Sequence, residues 1–251
     1  MQYIINADDF GRTATANKAI VESFADHKVT NTSIMVSAPH YEEAKKLAKE
    51  NGFWDKVGLH INLTSGYPLT EDIKSCKNFT NERGRFNGRI FKNKRMSLFL
   101  TAKEKKAVQK EVEAQIEKYL QDGFTLMHAD SHGHVHVILP VSKIIARCLK
   151  KYNFKSVRCS RNLQIKGRLL KIYKKLTFAK YDKALYRPNY FGAMDDVLKE
   201  KAWLDAQNGV CEIMLHPNYF DGEFGYGEPF DTAVFDLLSN KISYKEIADR
   251  G

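Results

Sequence analysis

The sequence predicts an α/β fold: a TIM-like (β/α) barrel, distorted or seven-stranded, with long loops over its C-terminal rim. Three observations lead there. Short apolar runs alternate with amphipathic helical stretches, the string that parallel βαβ units produce. The chain has 251 residues, 43% of them hydrophobic, with no break in composition, so a single barrel domain over 1–251 accounts for its length. The unusual polar residues sit at the C-terminal ends of the predicted strands, the rim on which barrel enzymes build their sites. A doubly wound open sheet would give the same order of elements, and the rim pattern favours the barrel.

Taken in order, Tyr3 to Ala7 is a compact apolar strand, and Thr13 opens a helix through Ala19, Ile20, Phe24 and Ala25. Ser33 to Val36 is a second strand, followed by a helix from about His40 to Glu50 that ends near Gly52. Val57 to Leu63 is a third. Thr101 and Glu104 form a capping box, and the helix behind it lines up Val108, Val112, Ile116 and Leu120 before stopping at Gly123. Phe124 to Ala129 is a fourth strand and Pro140 to Lys151 a helix. Ser156 to Cys159 and Val210 to Leu215 are further strands, with a fainter strand signal at Tyr190 and Phe191. Two long segments, Ser65 to Leu100 and Arg161 to Pro188, carry little strand pattern and are expected to be lids or binding elements.

The composition excludes several classes. The N-terminus has no basic region ahead of its apolar run, and no apolar stretch approaches the ~20 residues of a membrane span. Cys76, Cys148, Cys159 and Cys211 are widely spaced and read as reduced thiols, so a cytoplasmic location is expected. The net charge of +10 is concentrated between Lys74 and Lys106 and between Lys143 and Lys183. A basic field attracts anions of many kinds; we read it as a solvated surface or one facing an anionic glycan, and expect no specific nucleic-acid partner.

Four clusters carry the chemistry. Asp8 and Asp9 directly follow a buried strand, which is costly unless they are paired or bind metal; a helix N-cap is the plainer alternative. Strand alternation puts His60 and Asn62 on one face, opposite Leu59, Ile61 and Leu63. Between His128 and His136 fall four of the chain's eight histidines together with Asp130. Imidazole and carboxylate without nearby thiolate suit Zn, Mn, Co, Fe or Mg, and His132 and His136 have the i, i+4 spacing of paired helix ligands. His216, after a buried strand and before Pro217, is placed to act as a general acid. Arg158 is expected to pair with Asp8, and Arg161 could instead reach the substrate. Each histidine taken singly could equally be structural; their shared rim argues otherwise.

Asn6 to Gly11, Gly58 to Thr64, Asp130 to His136 and Glu212 to Pro217 together, and in this order, resemble the YdjC family, which includes the chitooligosaccharide deacetylases. The resemblance implies a (β/α) barrel that removes acetyl groups from N-acetylated amino sugars with a divalent cation, magnesium foremost and zinc or cobalt next. It further implies Asp9, His60 and His132 as metal ligands, Asp8 as base and His216 as acid. Asn62, Asp130, His134, His136 and Arg158 would then touch substrate or orient the ligands. The family often has a further histidine where this chain has Gly133, so substrate contacts there should differ. Phe79, Phe86, Tyr186 and Tyr190 are candidates for stacking on sugar faces, most of them expected to be packing. The partners expected are the acetylated sugar and a second copy of the chain in a homodimer. The competing readings are a hydrolase of other amides or phosphate esters, and a basic glycan- or nucleic-acid-binding protein.

Overall fold

Seven of the apolar runs become strands of one sheet: β1 (Gln2–Phe10), β2 (Asn31–Ile34), β3 (Val57–Ile61), β4 (His128–Ser131), β5 (Ser156–Val157), β6 (Tyr190–Ala193) and β7 (Val210–Leu215). This computed structural model describes residues 1–163, 168–179, 181, 185–227 and 230–248. Every pairing in the sheet is parallel, in the order β5-β4-β3-β2-β1-β7-β6. That is the cyclic order of a seven-stranded barrel opened between β5 and β6, and the sheet curls as a distorted (β/α) half-barrel. Backbone hydrogen bonds from the flanking segments span the opening. The Asn162 N–H donates to the Phe191 carbonyl at 3.0 Å, and the Val157 N–H to that of Tyr186 at 3.0 Å.

Strand alternation separates outside from inside. Tyr3, Ile5 and Ala7 of β1 join the main core beneath the helices, whereas Ile4 joins a small interior cluster with Leu126, Val210, Ile242 and Tyr244. Asn6 and Asp8 continue that interior row toward the C-terminal end, where it becomes polar. The main return helices are Ala14–Ala25, Tyr41–Glu50, Ala102–Gln121 and Leu139–Lys151. Thr13 caps the first through the Ala16 N–H at 3.1 Å, and the Thr101–Glu104 capping box closes reciprocally at 3.2 and 2.7 Å.

The structure moves several expected boundaries. The fourth strand begins at His128 rather than Phe124, because Phe124 stacks between Trp54 and Tyr119 at 3.9 and 4.8 Å between ring centroids. The third ends at Ile61, where Asn62 turns the chain by accepting the N–H groups of Thr64 and Ser65. The strand expected from Ser156 to Cys159 keeps only two residues. The 65–100 segment holds the short helices Glu71–Lys74, Arg89–Lys92 and Lys94–Leu98 and sends Ile73, Phe79, Phe86, Ile90, Met96 and Leu100 into the core. Phe79 and Phe86 are therefore packing groups, not sugar platforms. The other long segment contains the helix Arg168–Phe178, and its residues 164–167, 180 and 182–184 lie outside the described residues. No helix among the described residues is long and apolar enough to cross a membrane.

Candidate active site

In a regular strand Asp8 and Asp9 would point to opposite faces. Here Asp9 adopts a left-handed backbone, with φ of 71°, and the pairing with β2 slips between Ala7 and Phe10. Both carboxylates thereby reach the same end of the half-barrel. Such a conformation costs a non-glycine residue about 1–3 kcal/mol and persists where its surroundings fix it. They do so here. Asp9 Oδ1 lies 2.7 Å from His132 Nδ1 and 3.3 Å from His60 Nε2, while its Oδ2 accepts from Arg12 Nη1 at 2.7 Å.

His60 is held from behind. Its Nδ1 lies 2.6 Å from Asp130 Oδ1 and 3.1 Å from the Ser33 hydroxyl, which donates to Asp130 Oδ2 at 2.9 Å. Nδ1 is thus committed, and Nε2 is the atom turned toward Asp9. Burial opposes a charge on His60, but the carboxylates of Asp130 and Asp9 outweigh it and raise the imidazole to about 10. Burial alone would raise Asp9, yet hydrogen bonds from His132 and His60 hold it well below the usual carboxylate range.

Asp9, His60 and His132 bring one ligand atom each to within 4.8 Å of one another. Two imidazole nitrogens and a carboxylate oxygen, with a second carboxylate orienting one imidazole, fit a divalent cation. Asp8, His60 and Asp130 also converge, but Asp8 is engaged differently. The Arg158 guanidinium, fully buried, forks onto Asp8 with both contacts at 2.6 Å. It also approaches Asp130 Oδ2 at 2.9 Å and donates through Nε to Glu212 Oε1 at 2.8 Å. Burial would raise Asp8, and the Arg158 charge brings it below its ordinary value instead. Glu212, the third carboxylate on that guanidinium, is raised to about 7 by burial.

The expected residues divide plainly. Asp8, Asp9, His60, His132, Asp130 and Arg158 form one hydrogen-bonded network. His216 follows Leu215, which pairs with Ala7, so it stands beside Asp8 at the C-terminal end of the sheet. Its backbone N–H donates to the Tyr226 carbonyl at 3.1 Å, and among the described residues its ring bonds to none of the cluster. Asn62 gives its amide to Ser37 and Ser65 and shapes the turn. The i, i+4 helix reading of His132 and His136 fails. The segment is a 3-10 turn broken by left-handed Gly133 and His134, so His136 turns inward to the Ser131 hydroxyl at 2.6 Å. His134 is held near 4 by burial and the Arg158 charge, and its ring meets the edge of Phe191. His128 stacks on Tyr244 at 3.5 Å with its Nδ1 on Ser156, and burial pushes it down to about 3. Arg161 pairs with Asp196.

Sequence reasoning passed over Asn6, Ser33, Arg12 and Glu212. Asn6 donates to Asp8 Oδ1 at 2.8 Å and to Ser33 at 3.0 Å, and lies two residues before Asp8 on the same strand face, a signal that was available. Glu212 offered one too, as a carboxylate inside a buried strand, which demands a partner. Arg12 offered none.

Residues 2–247 match a family model described as YdjC-like protein. The chain is 33% identical over 223 residues to a "Carbohydrate deacetylase" of Vibrio cholerae, covering 88% of this chain and 80% of that one. It is 32% identical to "Carbohydrate deacetylase 1" of Listeria innocua over 248 residues, covering 96% and 93%. Its fold is similar to a solved Enterococcus faecalis structure described as a proposed cellobiose-phosphate cleavage protein. There the TM-score is 0.73 at 21% identity, covering 98% of both chains.

Proposed function

This chain belongs to the YdjC-like protein family, and from that premise we propose that it is a divalent-metal-dependent hydrolase removing acetyl groups from N-acetylated sugars. The observation that carries the metal half is the convergence of His60 Nε2 and His132 Nδ1 on one oxygen of Asp9, at 3.3 and 2.7 Å. The substrate half is supported by the similarity to the carbohydrate deacetylases.

Asp9, His60 and His132 would hold the cation, with magnesium the first to try and zinc or cobalt next. When bound, a divalent cation polarises the acetyl carbonyl and acidifies an adjacent water. Asp130 and Ser33 keep the His60 proton on Nδ1, leaving Nε2 as the ligand atom. Asp8 takes the proton of the attacking water. Its Oδ1 already accepts from Arg158 and Asn6, whereas among the described residues Oδ2 accepts from Arg158 alone and keeps a lone pair for this task. The Arg158 charge keeps Asp8 ionised and orients it. His216, half-buried at the neighbouring strand end, delivers a proton to the sugar nitrogen as the C–N bond breaks. Water oxygen joins the acyl carbon, and acetate leaves with a free amino sugar.

The test is acetate release from N-acetylglucosamine oligomers by chelator-treated protein, with magnesium, zinc or cobalt restored one at a time. Release should depend on the added cation. Full release without any cation, or none with any of them, would overturn the proposal.

A further inference from the structure

We propose that Phe91 is a stacking platform for a pyranose ring of the substrate, seated against the candidate metal centre by the absence of a side chain at Gly133. The inference rests on the deacetylase reading above and names a specificity-determining contact for it.

Gly133 has φ of 61°, and a Cβ placed on it would fall 2.4 Å from Phe91 Cζ, with Cε2 and Cε1 next at 3.1 and 3.3 Å. All three nearest atoms belong to that one ring, so a side chain at this position would displace the ring from its present seat. The ring tip therefore packs on the backbone between His132, whose Nδ1 faces Asp9, and His134. Phe91 is held there by its neighbour in the Arg89–Lys92 turn, since Ile90 is 2% exposed in the core while Phe91 remains 53% exposed. A rigid ring is thus fixed at one edge and open over the rest of its surface.

Position distinguishes this ring from an ordinary exposed phenylalanine. His132, the residue before Gly133, is partly exposed, so the candidate centre is open to solvent at this residue. The other phenylalanines of the long segment suggested by sequence, Phe79 and Phe86, are buried and cannot serve. One face of a pyranose presents C–H groups, to which a flat aromatic surface is complementary, and two side-chain torsions leave little freedom to lose on binding.

Phe91→Leu keeps the bulk and removes the flat ring, and Phe91→Trp restores one. With the N-acetylglucosamine trimer at saturating cation, Phe91→Leu should raise KM about three- to tenfold. Its kcat should stay within about twofold, and Phe91→Trp should recover KM. Calorimetric binding of the trimer to chelator-treated protein should weaken by the same factor in Phe91→Leu. Unchanged KM and binding while wild type turns over would overturn this inference and leave the deacetylase reading standing. A fall in kcat together with a lower melting temperature, and no change in trimer binding, would make Phe91 a packing group and also overturn it. If wild type neither cleaves nor binds the trimer, both readings fall.

Discussion

Replacing Glu212 with Gln should flatten a slope in the protein's stability against pH. Glu212 is fully buried, accepts from Arg158 Nε at 2.8 Å and from the Tyr244 hydroxyl at 2.7 Å, and shares its guanidinium with Asp8 and Asp130. Burial raises its carboxyl from 4.5 to about 7. A carboxyl raised on folding holds its proton more tightly in the native chain. Stability from this group is therefore full below pH 4.5, declines as pH rises to about 7, and stays diminished above it. At about 1.4 kcal/mol per pH unit, that interval corresponds to about 3 kcal/mol. For a chain of this size the loss would appear as about 6–12 °C in melting temperature. Gln keeps the acceptor for Arg158 Nε and carries no charge, so the variant should lack the decline. The assay is thermal unfolding of both proteins at closely spaced pH values from 4.5 to 8. The difference between the two curves isolates Glu212, since all other titrating groups are common to both. Parallel curves would mean that Glu212 is ionised throughout, and the reasoning from burial would be refuted.

Asp9→Ala, His60→Ala and His132→Ala should each lose cation binding and acetate release together; calorimetric cation binding that survives in any of them removes that residue from the ligand set. Asp8→Asn and His216→Ala should retain the cation yet lose about 10²-fold or more in kcat, and full turnover in either would unseat its assigned role. Asp130→Asn should weaken cation affinity about 10- to 100-fold through its hold on His60 Nδ1, measured by competition with a chelating dye; an unchanged affinity would show that His60 needs no carboxylate behind it.

The order of strands and the rim were legible in the sequence because both depend on local patterns. Apolar runs set the strands, and each of the seven lies where its pattern or its fainter signal pointed, within a few residues. The boundaries that slipped did so where side chains overrode propensity: Phe124 was taken by aromatic packing, and Asn62 by its own turn. The internal geometry of the site was less legible. Nothing local announces a left-handed Asp9, or that Gly133 and His134 break the turn which would have placed His132 and His136 on one helix face. The polar network was half visible, since Asn6 and Glu212 lie on inward strand faces and Arg158 was expected to meet Asp8, but Ser33 on Asn6 and Arg158 and Tyr244 on Glu212 come from elements distant in sequence.

That network also bears on why the half-barrel holds its shape where its backbone ladder is interrupted. β5 has only two residues, and the sheet order leaves it unpaired with β6. From the end of β5, Arg158 crosses the interior to Asp8 after β1's apolar run, Asp130 in β4 and Glu212 in β7, and its guanidinium lies 4.8 Å from the Phe191 ring of β6. One side chain therefore ties together four strands besides its own. A hydrophobic interior layer could fill the same space, and buried ion pairs are often no more stabilising than well-packed apolar groups. What an apolar layer could not do is keep Asp8 ionised and Asp130 fixed on His60 at the same time. The charged interior is better explained as the support that positions the rim than as a source of stability, and at the opening between β5 and β6 that support adds to the few backbone hydrogen bonds that span it.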